Sequence, residues 1–270
     1  MIKSEIVRNY WETRHPGLKG NQYSVGTPEF FNEVEQKRYN ILYRYIKKES
    51  EFKEYKGKKV LEIGVGFGTE IINYARNGAN VFGIDLTYNA IKMTNKRFKQ
   101  ENLKGTFKQA NFKNLPFRDC SFDLVVSWGV LHHSKETQQG INEIFRVLKP
   151  GGRFIIMLYH KGFKYYIKKL FYHGVLRGEY LKSSSQQIVS KHSENNGDCP
   201  LTKAYNRKEI RKMFSKYRKL EMTGYRLDDH FYWGGKIFSP IKFFLPKCLW
   251  RPIENRWGWN LLIKGNKPRV

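Results

Sequence analysis

Residues 59–70, Lys-Val-Leu-Glu-Ile-Gly-Val-Gly-Phe-Gly-Thr-Glu, constrain the fold more than any other stretch of this chain. Val60, Leu61 and Ile63 form a short apolar run with charge before it and glycine after it, which is how a strand buried in a parallel sheet reads. Gly64, Gly66 and Gly68 alternate with Val65 and Phe67, and Ile71, Ile72 and Ala75 continue at helical spacing. The spacing predicts a strand, a Gly-rich turn and a helix. Such a turn lets a ligand approach backbone N–H groups at the positive end of the helix.

Two nucleotide-binding patterns fail at this turn. A dinucleotide fingerprint needs Gly-x-Gly-x-x-Gly, and its third position holds Thr69. A phosphate loop needs Gly-Lys-Ser/Thr, which is absent. What remains is Glu-x-Gly-x-Gly-x-Gly from Glu62 to Gly68. Taken alone, it also fits an ordinary strand–helix turn.

Downstream, strand and helix alternate. Asn80 to Asp85 reads as a second strand ending in an acid, about 20 residues beyond the glycines, where nucleotide-binding folds place a carboxylate for ribose hydroxyls. The other reading of Asp85 is a cap for the helix beginning near Tyr88. A short third strand covers 106–110. A Pro-containing turn then leads into a strand over 121–128, followed by a loop through His132 and His133. Residues 136–148 read as an amphipathic helix, Lys149-Pro150-Gly151-Gly152 as a turn, and 153–159 as a strand. The alternation implies a doubly wound parallel sheet. Ligands in such sheets sit outside the carboxyl ends of the strands. Residues 64–68, Asp85, Asn111 and 127–133 all fall at such ends, and this convergence of four segments outweighs any single motif.

The segments together resemble the class I S-adenosylmethionine-dependent methyltransferases, in particular the quinone-biosynthesis-like small-molecule group. The marks are Val-Leu-Glu-Ile-Gly-Val-Gly-Phe-Gly at 60–68, Gly-Ile-Asp-Leu at 83–86, Leu-Pro-Phe at 115–117, Ser-Phe-Asp-Leu-Val at 121–125, Val-Leu-His-His at 130–133 and Arg-Val-Leu-Lys-Pro-Gly-Gly-Arg at 146–153. The resemblance covers residues 60–160. It implies an α/β, Rossmann-like, mostly parallel seven-stranded sheet with an N-terminal helical lid and an insertion before the last strands. It further implies S-adenosyl-L-methionine as cofactor, Asp85 on the ribose, Gly64 and Gly66 beside the methionine part, and residue 111 at the adenine amino group. The family's usual residue there is Asp; Asn111 keeps an acceptor oxygen without the charge. Leu86 and Phe112 would flank the adenine. Glu62, Gly68, Ser127 and Trp128 join the expected cofactor lining, with Tyr10 from the N-terminal segment. In three parts, 1–57 reads as lid and helix, 58–160 as cofactor-binding core, and 161–270 as acceptor-binding insertion with the last strands.

Outside the core the pattern is weaker. Tyr10 and Trp11 belong to a short helix that reads either as a packed strap or as a lid, and 28–48 reads as one helix. Residues 163–176 are aromatic and basic, as a helix packing on the sheet would be; contact with an anionic membrane is the second reading. The polar stretch 182–200 reads as a long loop of the kind that forms functional lids. Helix over 205–214, strand over 219–225 and a last antiparallel strand over 257–264 complete the chain.

A sulfonium methyl is already activated, so such an enzyme must mainly align a nucleophile and exclude water. A base is useful only where the nucleophile carries a proton. His132 and His133 are the candidate catalytic groups at the site edge; their other reading is structural. No metal cluster is indicated, because Cys120, Cys199 and Cys248 are scattered. Neither a signal-peptide core nor a membrane-length apolar run is visible in the 270 residues, and a cytoplasmic setting is expected. The net charge of +26 reads either as a solvated basic surface or as a patch for nucleic acid, an anionic membrane or an acidic substrate.

Three functions follow. The first is methyl transfer to a small organic acceptor at O, N, S or C, with an apolar or aromatic body and an acidic group. It would be held by Tyr165, Tyr166, Phe171, Tyr172, Tyr205, Phe231, Tyr232 and Trp233 among Lys168, Lys169, Lys203 and Arg226. The second is a nucleic-acid methyltransferase, against which Ser127-Trp128-Gly129-Val130 lacks Asn/Asp-Pro-Pro-Tyr and Cys199-Pro200 reverses Pro-Cys; no specific nucleic acid is expected as partner. The third is a non-catalytic cofactor-binding protein.

Overall fold

A computed structural model describes residues 4–14, 20–194, 199–227 and 246–269. A seven-stranded sheet forms its centre: β1 (Lys59–Ile63), β2 (Asn80–Asp85), β3 (Thr106–Gln109), β4 (Phe122–Trp128), β5 (Leu148–Tyr159), β6 (Arg218–Tyr225) and β7 (Asn260–Asn266). Their order is β3-β2-β1-β4-β5-β7-β6. Strands β1 to β5 pair in parallel, and β7 inserts antiparallel between β5 and β6. The chain winds outward from β1 in one direction and then, from β4, in the other. This opens a crevice at the carboxyl ends of β1 and β4, the ligand position of such sheets.

Side-chain alternation along each strand fills two apolar layers. Val60, Leu124, Val126 and Ile155 face a layer containing Ile71, Ile72, Tyr74 and Ile91. Leu61, Val125, Phe154 and Ile156 face one containing Ile141, Ile144, Ile210 and Phe214. The helices over these layers are α4 (Ile71–Arg76), α5 (Tyr88–Gln100), α6 (Thr137–Val147) and α8 (Arg207–Met213). Burial on both faces explains why these strands read as continuous apolar runs.

The N-terminal segment is fastened to the core by charge. Helix α1 spans Ser4–Thr13 and α2 spans Pro28–Lys37, with Pro28 in its first turn and the Thr27 hydroxyl accepting from the Phe30 N–H (3.2 Å). Arg97 of α5, 1% exposed, is ion-paired with Glu35 of α2, and Arg76 of α4 bridges Glu35 and Glu101. Arg97 also reaches the Phe67 carbonyl and the Thr69 hydroxyl, so α2 is tied to the Gly-rich turn.

Several expected boundaries move. The helix expected over 28–48 is α2, a π-helical turn Arg38–Leu42 and the short α3 (Ile46–Glu49). The expected turn at 149–152 lies within β5, where the register against β4 shifts between Phe122 and Leu124. The expected loop 182–200 contains α7 (Ser185–Ser193), stapled by a capping box in which Ser184 and Gln187 satisfy each other's backbone. Residues 164–176 form a helix of π geometry. Trp257 ends α9 (Lys247–Trp257) rather than opening the last strand. Among the described residues, no helix is long and apolar enough to cross a membrane.

Candidate functional site

A cavity of about 570 Å³ opens at the crevice between β1 and β4. Its floor is the turn after β1. Gly64 has φ +83°, and a Cβ there would stand 2.2 Å from Val130 Cγ2. Left-handed backbone and close approach together require glycine at this position. The Gly64 N–H donates to the Ile84 carbonyl (2.8 Å), and Thr94 Oγ1 donates to the Gly66 carbonyl (3.0 Å), which fixes the turn between β2 and α5.

Asp85 closes β2 and faces the turn. Its Oδ2 accepts from the Gly66 N–H (3.1 Å), and its Oδ1 accepts from the Thr87 N–H (2.9 Å) and hydroxyl (2.8 Å). Burial raises its pKa, while these hydrogen bonds from Thr87 and Gly66 pull it back. Asp85 thus orders the turn into α5, whose N-cap is Thr87, and lines the cavity. Leu86, Asn111 and Phe112 line the same end. Asn111 Oδ1 already accepts from the Lys113 N–H (3.1 Å), and the Phe112 ring lies against Gly140 of α6.

Helix α1 lies along the mouth. Ser4, Val7 and Trp11 line the cavity. Glu12 accepts from the Tyr88 (3.1 Å) and Asn89 (2.8 Å) N–H groups, so a carboxylate of α1 caps α5. The Trp11 ring meets His133 edge-on at 4.9 Å. Lys113 Nζ donates to Ser4 Oγ (3.3 Å).

The far end is lined by His133, Tyr159, Lys164, Glu194, Arg226 and Trp259. His133 Nδ1 is 2.9 Å from the Leu201 carbonyl. A carbonyl only accepts, so Nδ1 carries the hydrogen and the neutral ring keeps its lone pair on Nε2. That Nε2 lies 3.7 Å from Glu194 Oε1, which itself accepts from the Tyr159 hydroxyl (2.9 Å). Burial pushes His133 below the usual imidazole range, with Glu194 opposing. His132 is fully buried, stacks on Tyr159 (4.0 Å between centroids), and neither ring nitrogen has a hydrogen-bond partner. Lys164 lies over the Trp259 ring at 5.2 Å, and burial lowers its pKa well below the usual lysine range.

The expected site residues divide accordingly. Gly64, Gly66, Asp85, Leu86, Asn111, Phe112, Trp128 and His133 come together at the cavity. Glu62, Gly68, Tyr10, Ser127 and His132 lie outside its lining. Glu62 is buried below the turn, and burial with Glu70 nearby pushes its carboxyl well above the usual range. Gly68 packs against Thr94. Ser127 is fully buried and donates to the Ile63 carbonyl (3.1 Å). Tyr10 is buried against Trp11. Of the expected acceptor residues, only Arg226 is in the lining, and Phe231, Tyr232 and Trp233 lie outside the described residues. Sequence reasoning missed Arg38, Tyr43 and Glu70 at the turn, and Tyr159, Lys164, Glu194 and Trp259 at the far end. Only Glu70, two residues past the last glycine, stands next to a motif that could have flagged it.

Residues 61–156 match the family model described as a methyltransferase domain. Demethylmenaquinone methyltransferase of Clavibacter sepedonicus is 32% identical over 146 residues, 48% of this chain and 59% of that protein. Phosphoethanolamine N-methyltransferase 2 of Caenorhabditis elegans is 32% identical over 127 residues, 46% of this chain and 29% of that protein. The chain thus spans less than two thirds of the length of these relatives. Among solved structures, magnesium protoporphyrin IX methyltransferase from Synechocystis, with bound S-adenosylhomocysteine, superposes with TM-score 0.58 at 15% identity, over 98% of this chain and 100% of that one. A SAM-dependent methyltransferase from Methanosarcina mazei gives TM-score 0.57 at 19% identity, over 85% and 99%. At these identities the two structures share the fold.

The cavity fits the cofactor of that family. Asp85 presents a carboxylate to it, and the Gly64–Gly66 backbone forms its floor. The buried Trp128 Nε1, without a partner in the protein, lies in a side chain that borders it. Sequence motifs and strand order agree with these comparisons: residues 61–156 are similar to a methyltransferase domain, and the two curated relatives that share this stretch are methyltransferases.

Proposed function

We propose that the protein transfers a methyl group to a small organic acceptor with an apolar or aromatic body and an acidic group. The observation that carries this reading is one cavity running from Asp85 and Asn111, past Gly64 and Trp128, to His133, Lys164 and Arg226. Its volume, about 570 Å³, is in the range of small-ligand sites. In this reading Asp85 holds the ribose, Asn111 the adenine amino group, and Leu86 and Phe112 the adenine faces. Gly64 and Gly66 approach the amino-acid part, to which the Arg38–Glu70 ion pair offers both charges. When bound, S-adenosylmethionine supplies a methyl on a sulfonium, and the carbon–sulfur pair returns to sulfur as the acceptor's lone pair forms the new bond. The protein's own part is to bind, align and keep water out. His133 Nε2 takes the acceptor's proton where there is one, and His132, stacked on Tyr159, positions it. Lys164 and Arg226 meet the acidic group, and Trp259 and Tyr159 the apolar body. Residues 1–57 then act as lid, 58–160 as cofactor core and 161–270 as acceptor region.

The test is methyl transfer from labelled cofactor to a metabolite extract and to total RNA at physiological salt. Label in the small-molecule fraction is expected. Label in RNA alone would favour a nucleic-acid substrate, for which the net charge of +26 is the one supporting observation. Label in neither, with cofactor product bound, would favour a non-catalytic binding protein.

A further inference from the structure

We infer that His132, His133 and Glu194 form a site for one divalent transition-metal ion of the Zn2+ type at the acceptor end of the cavity. Their ligand atoms all lie within 4.8 Å of one another, and the two imidazoles are buried. Two imidazoles and a carboxylate are a common three-ligand set for Zn2+ with a fourth position open.

Three features go beyond proximity. First, His133 Nδ1–H is spent on the Leu201 carbonyl at 2.9 Å. Metal-bound imidazoles are oriented in this way, by a carbonyl on the nitrogen that does not bind. The other nitrogen, with its lone pair, lies 3.7 Å from Glu194 Oε1. Two acceptors thus stand opposite each other without a hydrogen between them. In a tetrahedral site with bonds of about 2.0–2.2 Å, ligand atoms lie roughly 3.3–3.6 Å apart. A cation between these two needs a shift of only a few tenths of an ångström. Second, His132 is 0% exposed with both ring nitrogens unpartnered. Burying two such groups is costly, and a metal bond relieves one of them. Third, the Tyr159 hydroxyl donates to Glu194 Oε1 (2.9 Å) while its ring supports His132. One residue therefore holds two of the ligands. Because His133 and Glu194 border the cavity, the open position faces it.

A second cluster, His173, Glu179 and His192, also has metal-ligand composition. Its rings stack at 3.6 Å and 13°, so their in-plane lone pairs run side by side instead of converging. Glu179 is already hydrogen-bonded to His192 Nε2 at 2.9 Å. It serves as an internal control.

The consequence for catalysis rests on the proposed function; the binding itself does not. With the cation present, His133 holds metal instead of taking a proton, and the acceptor's heteroatom meets the open position. The full chain should be titrated with Zn2+ by calorimetry, and with Co2+ followed by its visible ligand-field bands. One equivalent is expected, with tetrahedral Co2+ bands. His133→Ala and Glu194→Gln should each weaken binding more than tenfold, and Tyr159→Phe severalfold. His192→Ala and Asp85→Asn should leave it unchanged. If the ligand variants unfold, X-ray absorption of the Zn2+-loaded wild type replaces them, and two imidazoles in the first shell are expected. Absence of saturable binding, loss only in His192→Ala, or a first shell with fewer than two imidazoles would overturn the site. Full transfer activity without metal binding would sink the site and spare the function; metal binding without transfer would do the reverse.

Discussion

Around Gly64 and Asp85 the cavity is built from backbone, and at its far end from side chains. Around Gly64 and Asp85, strand ends and a tight turn deliver N–H and C=O groups, and the Asp85 carboxylate takes three donors from within four residues of chain or across one turn. At the other end, His133, Tyr159, Lys164, Glu194 and Trp259 arrive from five separate segments. There, His132 keeps two unpartnered ring nitrogens, and Lys164 and Lys169 are cations whose charge is opposed by burial. A backbone-built site is set by the fold and tolerates little change of glycine or strand-end acid. A side-chain-built site can be altered at each residue, and its buried polar groups cost stability. One cavity thus joins a part fixed by backbone geometry to a part fixed by side chains.

The comparison breaks most sharply at Gly64. Gly64→Ala adds a Cβ 2.2 Å from Val130 Cγ2 at φ +83°. Left-handed strain of about 1–2 kcal/mol and overpacking of about 1–3 kcal/mol add at this point. Calorimetry with S-adenosylhomocysteine should show binding lost or weakened more than a hundredfold. Adding Val130→Ala should recover the steric part only. Full recovery would show that the turn's conformation is not what the site depends on.

Asp85→Ala comes next. It removes a buried charged acceptor and frees the Gly66 and Thr87 donors, so the product should bind more weakly by about 1–3 kcal/mol. Unchanged affinity by calorimetry would take Asp85 out of the cofactor's binding set and leave it as the residue that orders the turn before α5.

At the opposite end, removing a polar group should help the fold. Lys169 is 1% exposed, lies 5.9 Å from the Trp259 centroid, and burial brings its pKa to about 7, with Lys168 adding and Glu194 opposing. Between that value and the ordinary lysine range, the unfolded chain binds more protons than the folded one. Stability therefore rises with pH from about 7 toward 10. Below about 7 both states are charged and the folded one bears the full desolvation cost. Lys169→Met should raise stability at pH 6 by about 1–2 kcal/mol and flatten that slope. Denaturant midpoints at pH 6 and 9.5 measure both; a destabilised variant at pH 6 would mean that the ammonium is satisfied where it lies.

The same contrast decides what could be read in the chain. Strands β1, β2 and β4 were legible nearly to the residue, because burial on both faces writes an apolar run and the turn after it needs glycine. The carboxyl-end rule then located Asp85, Asn111 and His133 without any contact information. The far end left no comparable trace. Glu194 follows α7, a helix of mostly polar sequence anchored by Ile188 and Val189, and only the Ser184–Gln187 pair marked its start. Residues 28–48 have helical periodicity throughout, yet the helix widens at Arg38–Leu42, where Arg38 turns into its ion pair with Glu70. That contact crosses from the N-terminal segment to the turn and has no local signature. Trp257 and Trp259 alternate like a strand, but Gly258, whose added Cβ would meet Tyr225 backbone at 2.5 Å, divides helix from strand between them.

The smallest effect concerns helix α1, which touches both ends. Glu12 accepts from the Tyr88 and Asn89 N–H groups, and Trp11, one residue before it, lies against His133. Helix α1 therefore links the start of α5, next to Asp85, to the far end of the cavity. A carboxylate at a helix start contributes about 0.3–1 kcal/mol. Glu12→Gln keeps the side chain's approximate shape but removes the charge and one of the two acceptor oxygens, so it should weaken α1 docking by at least that amount and leave the core intact. Hydrogen exchange reads this directly. Amides of α1 should exchange about two- to fivefold faster in Glu12→Gln than in wild type, the rate equivalent of that energy, while β1 and β4 are unchanged. S-adenosylhomocysteine should slow exchange in α1 and, if α7 closes with it, in α7 as well. Slowing in α1 alone would confine the lid to the N-terminal helix. Slowing in neither would make α1 a fixed strap, and the two ends of the cavity would then communicate only through the sheet.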